Sequence, residues 1–187
     1  MNDFPVRSPA EKLGGLVYFG RMLDKIRVHA RGELPEDYQP NLGRGFDAKC
    51  CAFLHLDYAE LVKRVNAGAN DDEMLEWAFT SGRRPNDAEI TMWNEFMRKF
   101  GWRDQAAEIL ERRKREAGMQ DRAEIETMFQ FIDADEGRKV TSDVTEEFVL
   151  QLVTRHSSLL PPLAADSDNR QTSRPRSPSQ RRRPTPE

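Results

Sequence analysis

Apolar residues recur at helical spacing along most of the chain. Phe19, Leu23, Ile26 and Ala30 step by four, three and four, which places them on one helix face. Phe46, Cys50, Phe53 and Leu54 line a second short face, and Leu61, Val62 and Val65 a third. Leu75, Ala78 and Phe79 follow, then Ile90, Trp93, Met97 and Phe100, with Phe96 widening that stripe. Ala106, Ala107 and Leu110 mark one more helix, and Ile125, Met128, Phe129 and Ile132 the last of the set. No stretch alternates apolar and polar residues convincingly, so the pattern predicts no strand. It predicts an all-α fold, a compact bundle of about seven helices.

The punctuation between these segments agrees with that reading. A helix start favours a side-chain acceptor at the N-cap with Glu three residues later, because each satisfies a backbone N–H that lacks an intrahelical partner. The spacing occurs at Ser8/Glu11, Asp57/Glu60, Asn70/Glu73, Asn86/Glu89 and Asp121/Glu124. Gly32, Gly68, Gly82, Gly101 and Gly118 follow periodic segments, where glycine accepts the left-handed conformation that ends many helices. Gly14 and Gly15 predict a short turn ahead of a main helix from about Tyr18. Residues 33–44, rich in Pro, Asn and Gly, read as a longer loop.

Composition changes along the chain. Residues 161–187 hold six Arg against two Asp and one Glu, a charge of +3. The chain total is −3, so the first 160 residues carry −6. Pro, Ser and Arg dominate that tail and aromatic residues vanish, so it cannot bury enough apolar area to offset its ordering entropy and reads as disordered. The resulting organisation is a flexible N-terminus at 1–7, a helical domain at 8–138, a segment at 139–160 with the spacing for one further helix, and the tail at 161–187. The N-terminus lacks the apolar stretch of a signal peptide, and no apolar run approaches the ~20 residues that span a bilayer. With neighbouring Cys50 and Cys51 as the two cysteines, a structural disulfide is disfavoured, and the expected location is cytoplasmic.

Candidate chemistry is sparse. Asp133, Asp135 and Gly137 suggest a calcium loop, but its glycine falls fifth rather than sixth and its twelfth residue is Val144 rather than Glu. His29, His55 and His156 lack zinc-ligand spacing. No metal and no cofactor is expected. Cys50 falls on an apolar face and Cys51 is expected to be more exposed. Gly43-Arg44-Gly45 lacks the features of a phosphate loop and reads as a turn. The run Arg112–Arg115 ends a helix, with Glu108 and Glu111 four residues before Arg112 and Arg115, and reads as a solvated face. Trp77, Trp93 and Trp102 serve a core or a pocket wall.

The charged set with most promise has three parts. Arg21, Asp24, Lys25 and Arg27 lie on the first long helix. Asn94, Arg103 and Asp104 surround the Trp93–Trp102 segment, and Asp133, Asp135, Glu136 and Arg138 end the last core helix. The candidate ligand-binding residues are Arg21, Asp24, Lys25, Asn94, Arg103, Asp104, Asp133, Asp135 and Arg138. If they converge they build a polar pocket; otherwise they are ion pairs that set helix register.

The phrases RSPAEKLGG, RMLDKIR, GFDAKCCAFLHL, WNEFMRKFGWRD and FIDADEGR, in this order over about residues 7–138, resemble an uncharacterised bacterial family, domain of unknown function 5069. The resemblance implies one small domain and carries over no catalytic residue. Two functions therefore compete. The first is a non-enzymatic binding or protein-interaction module with an unknown partner. The second is a site for a small anionic molecule, or an enzyme, in which Arg21, Arg103 and Arg138 hold the anion and Asp24 or Asp133 serves as acid or base. No membrane partner is expected, nucleic acid is considered only as a weak contact of the basic tail, and the sequence assigns no oligomeric state.

Overall fold

The computed structural model describes residues 4–140. The candidate helix at 139–160 and the basic tail therefore lie outside the described residues, save for Lys139 and Val140. Among the described residues there are seven α-helices: α1 (Phe19–Ala30), α2 (Phe46–Leu54), α3 (Tyr58–Asn66), α4 (Asp71–Ser81), α5 (Asp87–Lys99), α6 (Ala107–Glu116) and α7 (Met128–Asp135). A single 3-10 turn, Gln39–Asn41, lies in the long loop between α1 and α2. No helix among them is long and apolar enough to cross a membrane.

The all-α expectation holds, but the prediction of no strand does not. Two short strands, β1 (Lys12–Leu13) and β2 (Leu16–Val17), pair antiparallel around Gly14-Gly15. Both glycines have positive φ, 57° and 82°, which a tight two-residue hairpin loop requires. Strands of two residues are too short to show alternation, so periodicity missed them. Asn94 of α5 pins the hairpin: its Oδ1 accepts from Val17 N (3.0 Å) and its Nδ2 donates to Gly15 O (2.8 Å).

Helix starts follow the capping pattern in part. Asn70 and Asn86 close full capping boxes with Glu73 and Glu89, and Asp57 accepts from Glu60 N. Each such cap contributes about 1 kcal/mol. Ser8 and Glu11 instead close a turn that leads into the hairpin. Asp121 and Glu124 start no helix; α7 begins at a box made by Thr127 and Gln130. Ile125 belongs to the turn before α7, which shifted the apparent start of the periodic pattern. Gly82 also departs from expectation. Its φ of −107° is not left-handed. A Cβ there would sit 2.1 Å from Leu54 O, so glycine is required by the close approach of two backbones.

The core forms where α1 meets the hairpin and α2 to α5. Leu16, Phe19, Met22, Leu23, Leu54, Leu61, Met74 and Met97 are fully buried there. Burying a side chain of this size stabilises by about 1.5–3 kcal/mol. Trp93 stacks on Phe53 at 4.6 Å between centroids, and its indole N–H donates to Val17 O. A smaller cluster of Leu110, Ile125, Phe131 and Ala134 joins α6 to α7. Cys51 is buried with Cys50, against the expectation of exposure, because α2 presses its Sγ to 4.0 Å from Met22 Sδ on α1. Packing also begins before Ser8: Val6 is buried beside Val28 and Leu34. The basic run on α6 is not wholly solvated, since Lys114 turns inward and donates to Ile125 O. The pairs formed near it are Arg112–Glu116 and Lys114–Glu111.

Candidate functional site

A cavity of about 350 Å³ opens between α1, α2, α6, α7 and the α1–α2 loop. Helical spacing explains its walls. Tyr18, Arg21 and Lys25 are three and four residues apart along α1. Phe46 and Lys49 come from one face of α2, Ile109 and Arg113 from α6, and Met128, Phe131, Ile132 and Asp135 from α7. Phe100 closes one side, and the loop contributes Asp37, Tyr38, Asn41 and Arg44. The walls are aromatic: Phe46 lies edge-on to Tyr18, Phe100 and Phe129, with centroids 5.2–5.6 Å apart.

Its floor holds two buried ion pairs. Lys25 Nζ donates to Asp47 Oδ1 (2.6 Å) and to Tyr18 Oη (3.1 Å). Tyr18 Oη in turn donates to Asp47 Oδ1 (2.9 Å), and Asp47 Oδ2 accepts from Gly43 N (3.0 Å). This carboxylate therefore ties the loop, α1 and α2 together. Burial pushes the Lys25 pKa below the ordinary lysine value, although Asp47 opposes the change. Burial likewise pushes the Tyr18 hydroxyl well above its ordinary value. Tyr18 also has φ of 72°, a strained backbone for a bulky residue, held by Tyr18 N donating to Pro9 O and by the bond to Asp47.

The second pair is Arg21 with Glu136. Arg21 donates through both terminal nitrogens to Glu136 and through Nη1 to Arg7 O (2.7 Å). Tyr38 Oη donates to Glu136 Oε1 (2.9 Å), and Arg138 bonds Glu136 and Val6 O. Asp135 stands at the mouth, its pKa raised by burial and by nearby Asp37. Arg44, Lys49 and Arg113 also border the cavity; Lys49 Nζ sits 5.0 Å from the Phe100 ring centroid.

Of the candidates read from sequence, Arg21, Lys25 and Asp135 line this cavity. Asp133 and Arg138 lie behind it: Asp133 accepts from Ser8 Oγ (2.8 Å) and pairs with Arg138 (3.4 Å). Asp24 joins Arg7, Arg27 and Asp71 in a separate network. Asn94 holds the hairpin, Asp104 accepts from Gly101 N and Ala106 N, and Arg103 packs over Trp102. Tyr18, Tyr38, Arg44, Phe46, Asp47, Lys49, Phe100 and Arg113 were not among the sequence candidates. One signal did exist: Asp47 stands three residues before Cys50, on a face otherwise apolar.

The phrases that carried the family resemblance supply much of this site. Tyr18 precedes, and Arg21 and Lys25 lie within, RMLDKIR; Phe46, Asp47 and Lys49 lie in GFDAKCCAFLHL. Comparison with curated proteins finds no match. The family model described as Domain of unknown function (DUF5069) matches residues 3–138, and the chain belongs to that family.

Proposed function

We propose that the cavity binds a small anionic molecule with a planar, apolar body. The observation that carries this reading is the make-up of the wall: five cations, Arg21, Lys25, Arg44, Lys49 and Arg113, line it with two carboxylates, Asp37 and Asp135, and with aromatic side chains. Arg21 and Lys25 are neutralised by Glu136 and Asp47, so Arg44, Lys49 and Arg113 against Asp37 and Asp135 leave a surplus of one positive charge at the rim. The volume suits a small ligand, which pockets of this kind bury against apolar walls while a few polar groups set orientation.

The test is calorimetric titration with aromatic carboxylates such as benzoate, beside aromatic amines and aliphatic carboxylates of similar size. Aromatic carboxylates are expected to bind best, and added salt to weaken them. Lys49→Ala and Arg113→Ala are each expected to weaken binding about tenfold, since a hydrogen bond to a charged group is worth about 1.5–3 kcal/mol. Equal binding of aromatic amines, or no change in either variant, would remove the anionic reading.

A second reading, association through an apolar face, draws support from α5. Met92 and Phe96, one helical turn apart, are 71% and 50% exposed. Sedimentation over a concentration series is expected to show self-association that Phe96→Glu reduces. A single monomeric species at every concentration would leave that face without a role in self-association.

A further inference from the structure

Lys25 has more capacity than the ion pair uses. Its ammonium carries three protons, and two are taken by Asp47 and Tyr18. The third has no acceptor among the described residues, although Lys25 is 4% exposed and lines the cavity. A ligand held in the cavity can reach this ammonium, because Lys25 forms part of its wall.

We propose that Lys25 is a nucleophile that condenses with the carbonyl group of a small aldehyde or alpha-keto acid held in the cavity, forming an imine. This rests on the anionic-pocket reading above and adds the class of substrate: a carbonyl compound bearing a carboxylate. The rim cations Arg44, Lys49 and Arg113 would hold the carboxylate, and the aromatic walls the body.

The step balances without a further reagent. Asp47, in contact with Nζ, takes one proton from the ammonium. The free amine attacks the carbonyl carbon, the C–O π bond breaks, and one nitrogen proton passes to the alkoxide oxygen to give a carbinolamine. The hydroxyl then leaves as water, taking a proton returned through Asp47. The ammonium begins with three hydrogens; one stays on the protonated imine and two depart in the water. Nitrogen thus carries one positive charge before and after, still beside the Asp47 carboxylate. The buried charge balance is unchanged, so condensation adds no unpaired ion to the protein interior. Desolvation by burial, which favours the neutral amine, assists the first step.

The experiment uses the full chain, para-formylbenzoate as probe and cyanoborohydride to trap the imine, with peptide mass spectrometry to locate the label. Lys63, exposed on α3, is the internal reference. Lys25 is expected to be labelled at least about tenfold faster than Lys63, a modest share of what holding two reactants in one site supplies. Excess benzoate, which has the carboxylate but no aldehyde, is expected to suppress Lys25 labelling and leave Lys63 unaffected. Lys25→Arg, which keeps a cation beside Asp47, is expected to lose the cavity label; should it fail to fold, mapping on the native chain still decides. Equal labelling of Lys25 and Lys63, or label on Lys63 alone, overturns the imine. If benzoate still binds by calorimetry in that case, the pocket reading survives; if it does not, both fall.

Discussion

Glu136→Ala is expected to lower the unfolding free energy by about 3–5 kcal/mol, the cost of leaving one member of a buried ion pair without its partner. Arg21 is 2% exposed and the Glu136 side chain is fully buried. The guanidinium left behind keeps its bond to Arg7 O but loses its counter-charge, and it cannot shed its proton. Tyr38 and Arg138 lose an acceptor in the same change. Lys63 and Glu60 on α3 form the contrasting pair: both are exposed, and Glu60→Ala is expected to leave the stability nearly unchanged. Urea unfolding of both variants at constant m-value measures the difference. A loss below about 1 kcal/mol for Glu136→Ala would mean that Arg21 reaches water and that the cavity floor is not sealed.

Raising the pH is the second large perturbation. Cys50 and Tyr18 ionise at ordinary values of 9.0 and 10.0 in an unfolded chain, and burial holds both well above those values in the fold. Burial also pushes Cys51 up to about 12. Once the pH passes the ordinary values, the unfolded chain binds fewer protons than the folded protein, so stability falls as pH rises. Each such group contributes about 1.4 kcal/mol per pH unit in that window. Tyr38 and Tyr58, also shifted upward, act in the same direction. Lys25 acts in the opposite one: its folded pKa is lowered, so the penalty of burying its charge shrinks as pH rises toward the ordinary lysine value of 10.5. One group does not cancel the others. The urea midpoint is therefore expected to fall steeply above the ordinary cysteine and tyrosine values, and Tyr18→Phe to make that fall shallower. A midpoint that stays flat through this range would show that Tyr18 and Cys50 exchange freely with solvent.

The sequence carried the site unevenly. Arg21 and Lys25 were legible because they interrupt an amphipathic helix near its apolar stripe, and Asp135 because it ends an apolar helix. Asp24 has the same local character as Lys25 but pairs with Arg7, which also pairs with Asp71, contacts made by segments distant in the chain. Tyr38 and Arg44 lie in a loop whose path has no period, so nothing local assigned them to the cavity. Phe46 and Phe100 read correctly as apolar, yet periodicity cannot say whether an apolar face meets a neighbour or walls an opening.

Local rules account for most of the fold. Helical spacing, the boxes at Asn70 and Asn86 and the loop before Phe46 are short-range interactions, and each is visible within a few residues. Those signals were enough to determine a mostly helical domain of about seven helices, each with an apolar face. Tertiary structure decided the rest. It made Gly82 a backbone contact rather than a left-handed cap, buried Cys51 and Lys114, and joined Arg21 to Glu136, residues separated by most of the domain. The reason is physical: an ion pair or a cavity wall forms between surfaces brought together by packing, and its energy depends on the water excluded there. No local pattern of the chain encodes that exclusion.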